Sequence, residues 1–242
     1  MRIFLGLLLL AACTQSSPTE FESFLSRQPE KKYSLLIQGG HVIDGSGNKS
    51  YAADLLIQND TIAFIGEVDT TLIEVEMAID ASEKVITPGF IDMHSHGNPL
   101  KTPSFQNFLA MGATTISLGK DGSSPDYENL AEWMQLVEGT VPGVNVAMFV
   151  GHGTLRMQSG IKYNPRPSRE QLEKIGSLLE KNLDAGCFGM TTGLEYIPGF
   201  YAPSYELEHL AKIVGEREKV ITSHVRNEDD SEVGSSIQEL LN

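Results

Sequence analysis

Hydrophobic and polar positions alternate in two different ways along this chain. Between residues 33 and 66, apolar runs of four or five residues are separated by glycine, asparagine and aspartate, a pattern typical of short strands joined by tight turns. Strands are predicted at 34–38, 41–44 and 53–57, and a β-hairpin at Ile57–Gly66. From residue 85 onward, β-prone runs alternate with segments of helical periodicity, which predicts parallel βαβ units.

Five strands are predicted in this second part of the chain. They cover residues 85–92, 113–118, 144–150, 188–192 and 220–224, with helices expected near 103–111, 127–138, 168–183, 204–217 and 232–241. Ser168 and Gln171 form a capping-box pattern at the start of the helix at 168–183. Periodicity of this kind fits a doubly wound sheet as well as a barrel, so it leaves the choice between the two folds open.

The N-terminus carries a targeting pattern. The apolar run Ile3–Ala12 is shorter than the roughly 20 residues of a membrane-spanning helix and matches a secretory signal peptide. Together with Cys13, its last residues resemble the cleavage motif of bacterial lipoproteins. We therefore expect a signal peptide over 1–12, export to the bacterial cell envelope, a lipid on Cys13 as membrane anchor, and a flexible spacer over 13–32. A plain signal peptide with an incidental cysteine is the alternative.

Composition narrows the class of protein. The chain has 242 residues, 40% of them hydrophobic and 21% charged, which is ordinary for a globular protein with a sizeable core. Its formal net charge of −14 argues against nucleic acid as a partner, because a phosphate backbone would be repelled. The two cysteines are Cys13 and Cys187, so a lipid on Cys13 would leave no internal disulfide.

The predicted strand at 85–92 is followed closely by two histidines, His94 and His96. Side chains at positions i and i+2 of a strand lie on the same face, so the two imidazoles can reach one metal ion. A His-x-His pair alone is weak evidence for a metal site. However, the whole run Val85–His96, VITPGFIDMHSH, resembles the first-strand signature of the amidohydrolase superfamily.

Four further strings resemble the N-acyl-D-amino-acid deacylases, or D-aminoacylases, within that superfamily. They are 112–124, 151–156, 189–198 and 223–228, each at the end of a predicted strand. The resemblance covers about residues 35–242 and implies an α/β fold. Its parts would be a small β-sandwich subdomain, N-terminal half, at 33–84 and an incomplete (β/α)8 TIM-type barrel at 85–242, with about five of eight strands. A complete barrel takes roughly 250 residues, so we expect the chain to be the N-terminal part of a longer enzyme and to show no detectable hydrolysis alone.

The resemblance and the strand ends together imply a zinc site with one or two ions. His94 and His96 would supply one side, and His224 at the end of the fifth strand would supply a third imidazole. D-aminoacylases typically carry Gly-Asn-Cys-Gly after the second strand, with the cysteine as a ligand, whereas this chain has Gly119-Lys120-Asp121-Gly122. Asp121 is either the replacement ligand or a turn residue. Glu195 is a rival acidic ligand, or a carboxylate that faces the substrate or only orients its neighbours.

Four residues are implied as substrate-binding by the resemblance: Tyr196, Arg226, His152 and Arg156. Arginine suits a free carboxylate because its planar fork donates two parallel hydrogen bonds. A structural role for His152 remains open, and so does the choice for Lys120 between pairing with a substrate carboxylate and lying in a solvated turn. The further metal histidine of the sixth strand and the general-base aspartate of the eighth are expected beyond Asn242, so no catalytic residue is assigned here.

The function that the resemblance implies is metal-dependent hydrolysis of the linear amide bond of N-acyl-D-amino acids. A cyclic amidohydrolase of the dihydroorotase or hydantoinase kind is an alternative. That group usually has a carboxylated lysine on the fourth strand, and residues 189–195 contain no lysine. A non-catalytic surface lipoprotein is a third possibility, from a different class of protein.

Overall fold

The computed structural model describes residues 18–241, and the chain divides after Pro88 into two compact units. The predicted signal peptide at 1–12 and the lipid-bearing Cys13 lie outside the described residues and remain predictions of the sequence. In the part that is described, no helix has the length and apolar character needed to cross a membrane.

The first unit is a five-stranded sheet with one short helix. Its elements are α1 (Glu20–Leu25), β1 (Lys32–Val42), β2 (Tyr51–Gln58), β3 (Thr61–Gly66), β4 (Glu74–Asp80) and β5 (Val85–Ile86), with a 3-10 turn at Thr70–Leu72. The strand order is β3-β2-β1-β4, and β5 also pairs with β1. β1 runs antiparallel to β2 and parallel to β4 and β5. The predicted hairpin at 57–66 is confirmed, since β2 and β3 pair antiparallel on either side of Asn59 and Asp60.

The glycine pair at positions 39 and 40 does not separate two strands, as the sequence predicted. β1 continues through it with a break in register between Ile37 and Gly40. Gly39 has a φ of +77°, which a glycine adopts without strain, and its N–H donates to Asp54 Oδ1 at 2.8 Å. Residues 18–88 therefore contain one sheet, and the predicted β-sandwich is not confirmed.

The predicted flexible spacer at 13–32 is wrong over residues 20–25, which form α1. Thr19 caps this helix in a capping box with Glu22. Phe21 and Leu25, four residues apart on one helix face, are 3% and 5% exposed. They pack with a buried cluster of strand and loop residues, Tyr33, Leu36, Leu56 and Val68. The polar composition of the segment concealed this amphipathic turn.

The second unit consists of parallel strands with helices between them. Its strands are β6 (Phe90–Asp92), β7 (Ala113–Leu118), β8 (Asn145–Met148), β9 (Val150–Gly151), β10 (Gly189–Gly193) and β11 (Val220–His224). Its helices are α2 (Gln106–Ala110), α3 (Leu130–Gly139), α4 (His152–Gln158), α5 (Arg169–Asp184), α6 (Ser204–Glu216) and α7 (Val233–Leu241), with a 3-10 turn at Gly199–Tyr201. The predicted capping box of Ser168 and Gln171 is confirmed at the start of α5.

Two predicted strands are divided in the structure. The strand at 85–92 is interrupted before Phe90, so that β5 pairs with β1 and β6 pairs with β7. Pro88 lies in this interruption, and proline lacks the N–H that a continuous ladder needs. The strand at 144–150 is divided at Phe149, so β8 pairs with β7 and β9 with β10. The result is two unclosed parallel sheets, β6-β7-β8 and β9-β10-β11.

The core of the second unit lies where strand side chains meet the helices. Ile116 and Met190 from the strands and Leu179 and Leu210 from the helices are at most 1% exposed and belong to one cluster. Cys187 lies in the same cluster and is fully buried, and burial raises the pKa of its thiol to about 12. A thiol in that state packs as an apolar group and is a poor nucleophile at neutral pH.

Replacing Phe21 by alanine tests whether α1 is part of the folded first unit. We expect the F21A variant to lose about 3 kcal/mol of unfolding free energy, because a buried phenylalanine leaves a cavity. Denaturant unfolding of the chain measures it, with Glu20→Gln, at an exposed position of the same helix, as control, expected to change stability by less than about 0.5 kcal/mol. Equal stability of the two variants would restore the spacer interpretation.

Candidate metal centre

Three strand ends in the second unit bring their polar residues to one place. His94 and His96 follow β6, Asp121 follows β7, and His224 ends β11. The Nε2 atoms of His94 and His96 lie 3.4 Å and 3.1 Å from Asp121 Oδ2. On the other side of the carboxylate, His224 Nδ1 lies 3.9 Å from Asp121 Oδ1. The three predicted imidazoles therefore converge on the carboxylate of Asp121, the residue whose role the sequence left undecided.

The loop after β6 is fastened to β7, which fixes where the first two histidines emerge. Ser117 in β7 donates its hydroxyl to Met93 O at 2.6 Å, and Ser95 N donates to Ser117 O at 3.2 Å. His94 N donates to the Asp92 carboxylate at 3.0 Å, which closes a tight turn at the strand end. His94 and His96 are thus directed by backbone bonds while their rings stay largely exposed.

The turn from Gly119 to Gly122 presents Asp121. Gly119, Asp121 and Gly122 all have positive φ values, of +84°, +53° and +72°. A Cβ on Gly119 would lie 2.1 Å from Phe149 O, so only glycine fits there. From β10, the Thr191 hydroxyl donates to Gly119 O and accepts from Gly122 N, which holds both ends of the turn.

The arrangement fits a divalent cation in its donor chemistry. Asp121 Oδ1 is buried without a hydrogen-bond partner, and burying a carboxylate oxygen unpaired is costly. His94, His96 and Asp121 each offer one atom, and these atoms lie within 4.8 Å of one another. Imidazole nitrogen and carboxylate oxygen are the ligands that zinc accepts in proteins.

A second group lies on the far side of His224. His224 Nε2 is 2.7 Å from Glu195 Oε2 and 3.6 Å from Glu228 Oε1. The Tyr196 ring packs against the His224 ring, with 4.6 Å between centroids. His224 therefore faces Asp121 with one ring nitrogen and Glu195 with the other.

Two of the residues implied as substrate-binding lie in a fully buried group, which favours the structural role that the sequence left open for His152. The His152 and Arg156 side chains are 0% exposed, as is that of Glu206. Glu206 accepts from Arg156 Nη1 at 3.0 Å and lies 2.7 Å from His152 Nε2, while the remaining guanidinium donors bind Lys162 O and Asn164 O. Burial lowers the pKa of Arg156, and Glu206 opposes that shift. The group braces α4, α6 and the loop after α4.

Arg226 also differs from its predicted role. Its Nε and Nη2 donate to the Glu239 carboxylate in α7, at 2.9 Å and 2.7 Å, and Nη1 donates to Phe200 O at 2.8 Å. These partners use the fork that a substrate carboxylate would need. Tyr196, in contrast, is 46% exposed and lines a cavity together with Asp121.

Lys120 is not a solvated turn lysine, because it is 3% exposed. Its Nζ lies 3.7 Å from the centroid of the Phe149 ring and has no hydrogen-bond partner. Burial lowers the pKa of Lys120, and the Asp121 carboxylate opposes this shift. Lys120 lines a cavity of about 330 Å³ that also contains His96.

Sequence reasoning missed Thr191, Glu206 and Glu228. Thr191 and Glu206 bind partners 50 or more residues away, so no local spacing marks them. Glu228 stands four residues after His224, a spacing that is visible in the sequence and could have identified it.

Replacing Glu206 by glutamine tests the bracing role of the buried group. We expect E206Q to lose about 3–5 kcal/mol of unfolding free energy, because Arg156 would keep its charge in a buried site without a counter-ion. Denaturant unfolding measures the loss. Glu208→Gln, an exposed carboxylate on the same helix, is the matched control. If both variants have the same unfolding free energy as the wild type, the buried group does not stabilise the fold.

No known family profile matches the sequence. Among curated proteins, the N-acyl-D-glutamate deacylase of Alcaligenes xylosoxydans xylosoxydans is 32% identical over 234 residues, covering 88% of this chain and 47% of the relative. A D-aminoacylase of the same organism is 26% identical over 229 residues, covering 85% of this chain and 47% of the relative.

A solved structure agrees with the sequence relatives. The N-acyl-D-glutamate deacylase from Bordetella bronchiseptica, complexed with zinc and a phosphonate mimic of the tetrahedral intermediate, superposes with a TM-score of 0.81 at 32% identity. The match covers 87% of this chain and 48% of that one. This chain is thus a homologue of the N-acyl-D-amino-acid deacylases of the amidohydrolase family, and it spans about half the length of the curated relatives it matches.

Proposed function

We propose that this chain forms the zinc-binding part of a hydrolase that cleaves the linear amide bond of N-acyl-D-amino acids. The observation that carries the proposal is the convergence of His94, His96 and His224 on the two oxygens of Asp121. The relatives support the substrate class, since those with the longest matches are deacylases of N-acyl-D-amino acids. Hydrolysis of such a substrate adds water across the amide and releases a carboxylate and a D-amino acid.

In this proposal, His94, His96, Asp121 and His224 would hold the metal. When bound, zinc supplies a Lewis acid that polarises the amide carbonyl and lowers the pKa of water to about 7. An aspartate at position 121 would take the place of the cysteine found in D-aminoacylases, with a carboxylate oxygen as ligand. The buried, unpartnered Asp121 Oδ1 supports this assignment.

Glu195 fits the role of an orienting carboxylate better than that of a ligand at the same ion. A hydrogen on His224 Nε2 would be donated to Glu195 Oε2 across 2.7 Å, which leaves the Nδ1 lone pair directed toward Asp121. Carboxylates that fix a histidine tautomer in this way raise the basicity of the ligating nitrogen. Glu228, 3.6 Å from the same nitrogen, would offer a place for a second cation only if the Glu195 bond opened.

The cyclic amidohydrolase alternative is less well supported by the residues at this site. The end of β10 continues as Leu194 and Glu195, so the position where that group places its carboxylated lysine has no lysine in this chain. Linear N-acyl amino acids therefore remain the favoured substrate class over cyclic amides.

Zinc titration of the purified chain tests the site independently of turnover. We expect His96→Ala and Asp121→Asn each to weaken zinc binding at least tenfold, because each removes one donor from the convergence. His41→Ala, an exposed histidine of the first unit, should leave the affinity unchanged. Isothermal titration calorimetry in competition with a chelator measures the three affinities.

The same zinc-loaded chain should bind N-acetyl-D-glutamate, and stripping the metal with chelator should abolish that binding. Unchanged zinc affinity in both His96→Ala and Asp121→Asn would show that these residues do not form the metal centre. Zinc binding without any recognition of N-acetyl-D-glutamate would keep the metal centre but reject the substrate class.

A further inference from the structure

A cavity of about 400 Å³ is lined by Asp121 but by none of the three histidines of the candidate metal centre. Cavities of about 300–1,000 Å³ are the usual size of small-molecule sites. Its walls come from the turn after β7, from α4 and from the segment after β10. We propose that this cavity receives the acyl chain of the substrate, and that the chain is apolar and longer than acetyl; this inference rests on the proposed function.

The floor of the cavity is backbone, which explains why the space is open. Gly122, Gly153 and Gly193 line it. A Cβ on Gly193 would lie 2.2 Å from Asp121 O, and a Cβ on Gly122 would lie 2.8 Å from Gly193 N. The three turns therefore approach one another closely because they lack side chains, and no side chain from the floor fills the space above.

The walls of the cavity are largely apolar, although the hydroxyl residue Ser123 also lines it. They are formed by Met157, Tyr196, Ile197 and Pro198. Thr154 also lines it, but its hydroxyl already donates to Ser124 O and accepts from Ser124 N. A chain of methylenes would gain burial here, whereas an anionic group would find no basic side chain among the described lining residues.

Charge decides which half of the substrate fits this cavity. Its one charged lining residue, among the residues the structure describes, is the Asp121 carboxylate, which would repel an acidic amino acid. The neighbouring cavity, which shares Asp121 and Ser123 with it, contains Lys120 and the hydroxyl residues Ser95 and Ser124. The neighbouring cavity thus has basic lining residues, whereas the described lining of the cavity of about 400 Å³ has none. An N-acyl amino acid lying across Asp121 would place its carboxylate toward Lys120 and its acyl chain toward Met157.

Calorimetric titration of the zinc-loaded chain with N-acetyl-, N-butanoyl- and N-hexanoyl-D-glutamate tests the inference. Each methylene that is fully buried should tighten binding about fourfold. Because Met157 and Ile197 on the walls of the cavity remain 41% and 65% exposed, burial of the chain would be partial, and we expect N-hexanoyl-D-glutamate to bind at least tenfold more tightly than the N-acetyl compound. Hexanoate and acetate, which lack the amide and the amino acid, should show the same order.

Two variants locate the effect. Met157→Trp should fill the cavity and remove the preference for hexanoyl, while binding of the N-acetyl compound is retained. Met111→Trp, at a methionine that is 65% exposed and outside the cavity, should behave as the wild type. If Met157→Trp does not fold, Ile197→Ala serves instead: the side chain is 65% exposed, and its loss should reduce the hexanoyl preference about threefold.

Each outcome decides between the two proposals. Equal affinity for the acetyl and hexanoyl compounds, or a hexanoyl preference that survives Met157→Trp, would overturn the acyl-chain site and leave the proposed function standing. If none of the N-acyl-D-glutamates binds, the N-acetyl compound included, both are overturned.

Discussion

The Asp121 carboxylate is the group on which the rest of this site depends. It lies in the turn from Gly119 to Gly122, where three of four residues adopt a left-handed backbone, and Thr191 of β10 holds that turn by two hydrogen bonds. Its oxygens face histidines that follow β6 and end β11. Parallel strands deliver their C-terminal ends to the same edge, so residues more than 100 positions apart meet at one carboxylate. Its Oδ1 is buried there without a hydrogen-bond partner, and a cation held by the imidazoles would supply the counter-charge.

Two arginines away from this carboxylate, one buried and one partly buried, support the loops around it. Arg156 and Arg226 both point their forks at protein carboxylates and carbonyl oxygens, so they fix α4, α6, α7 and the turn at Gly199–Tyr201. An arginine near a strand end is therefore not automatically a substrate ligand. Lys120 differs from both, since it has a buried ammonium group that no protein acceptor satisfies. Lys120 lies beside the candidate metal centre. Among the described residues that line the cavity around it, Lys120 and His96 are the basic ones.

Sequence patterns predicted correctly those elements that are determined by residues close together in the chain. The hairpin at 57–66 and the capped helix α5 are confirmed because turn residues and capping residues act within a few positions. The division of the strand at 85–92 was missed because its two halves pair with different strands, β1 and β7. The hydrophobic pattern of a segment does not show which strand it pairs with. The spacing of His94 and His96 identified one side of the site. The burial of His152 and Arg156 was missed because Glu206, which neutralises the arginine, comes from a helix about 50 residues later.

Zinc K-edge X-ray absorption of the zinc-loaded chain tests directly whether Asp121 and the three histidines bind the metal. The replacement of a cysteine by Asp121 predicts a first shell of nitrogen and oxygen at about 2.0–2.1 Å, with outer-shell scattering from imidazole rings. That scattering should weaken in His96→Ala. A sulfur shell at about 2.3 Å, or a spectrum without imidazole scattering, would contradict the claim that Asp121 and its three histidines form the metal centre.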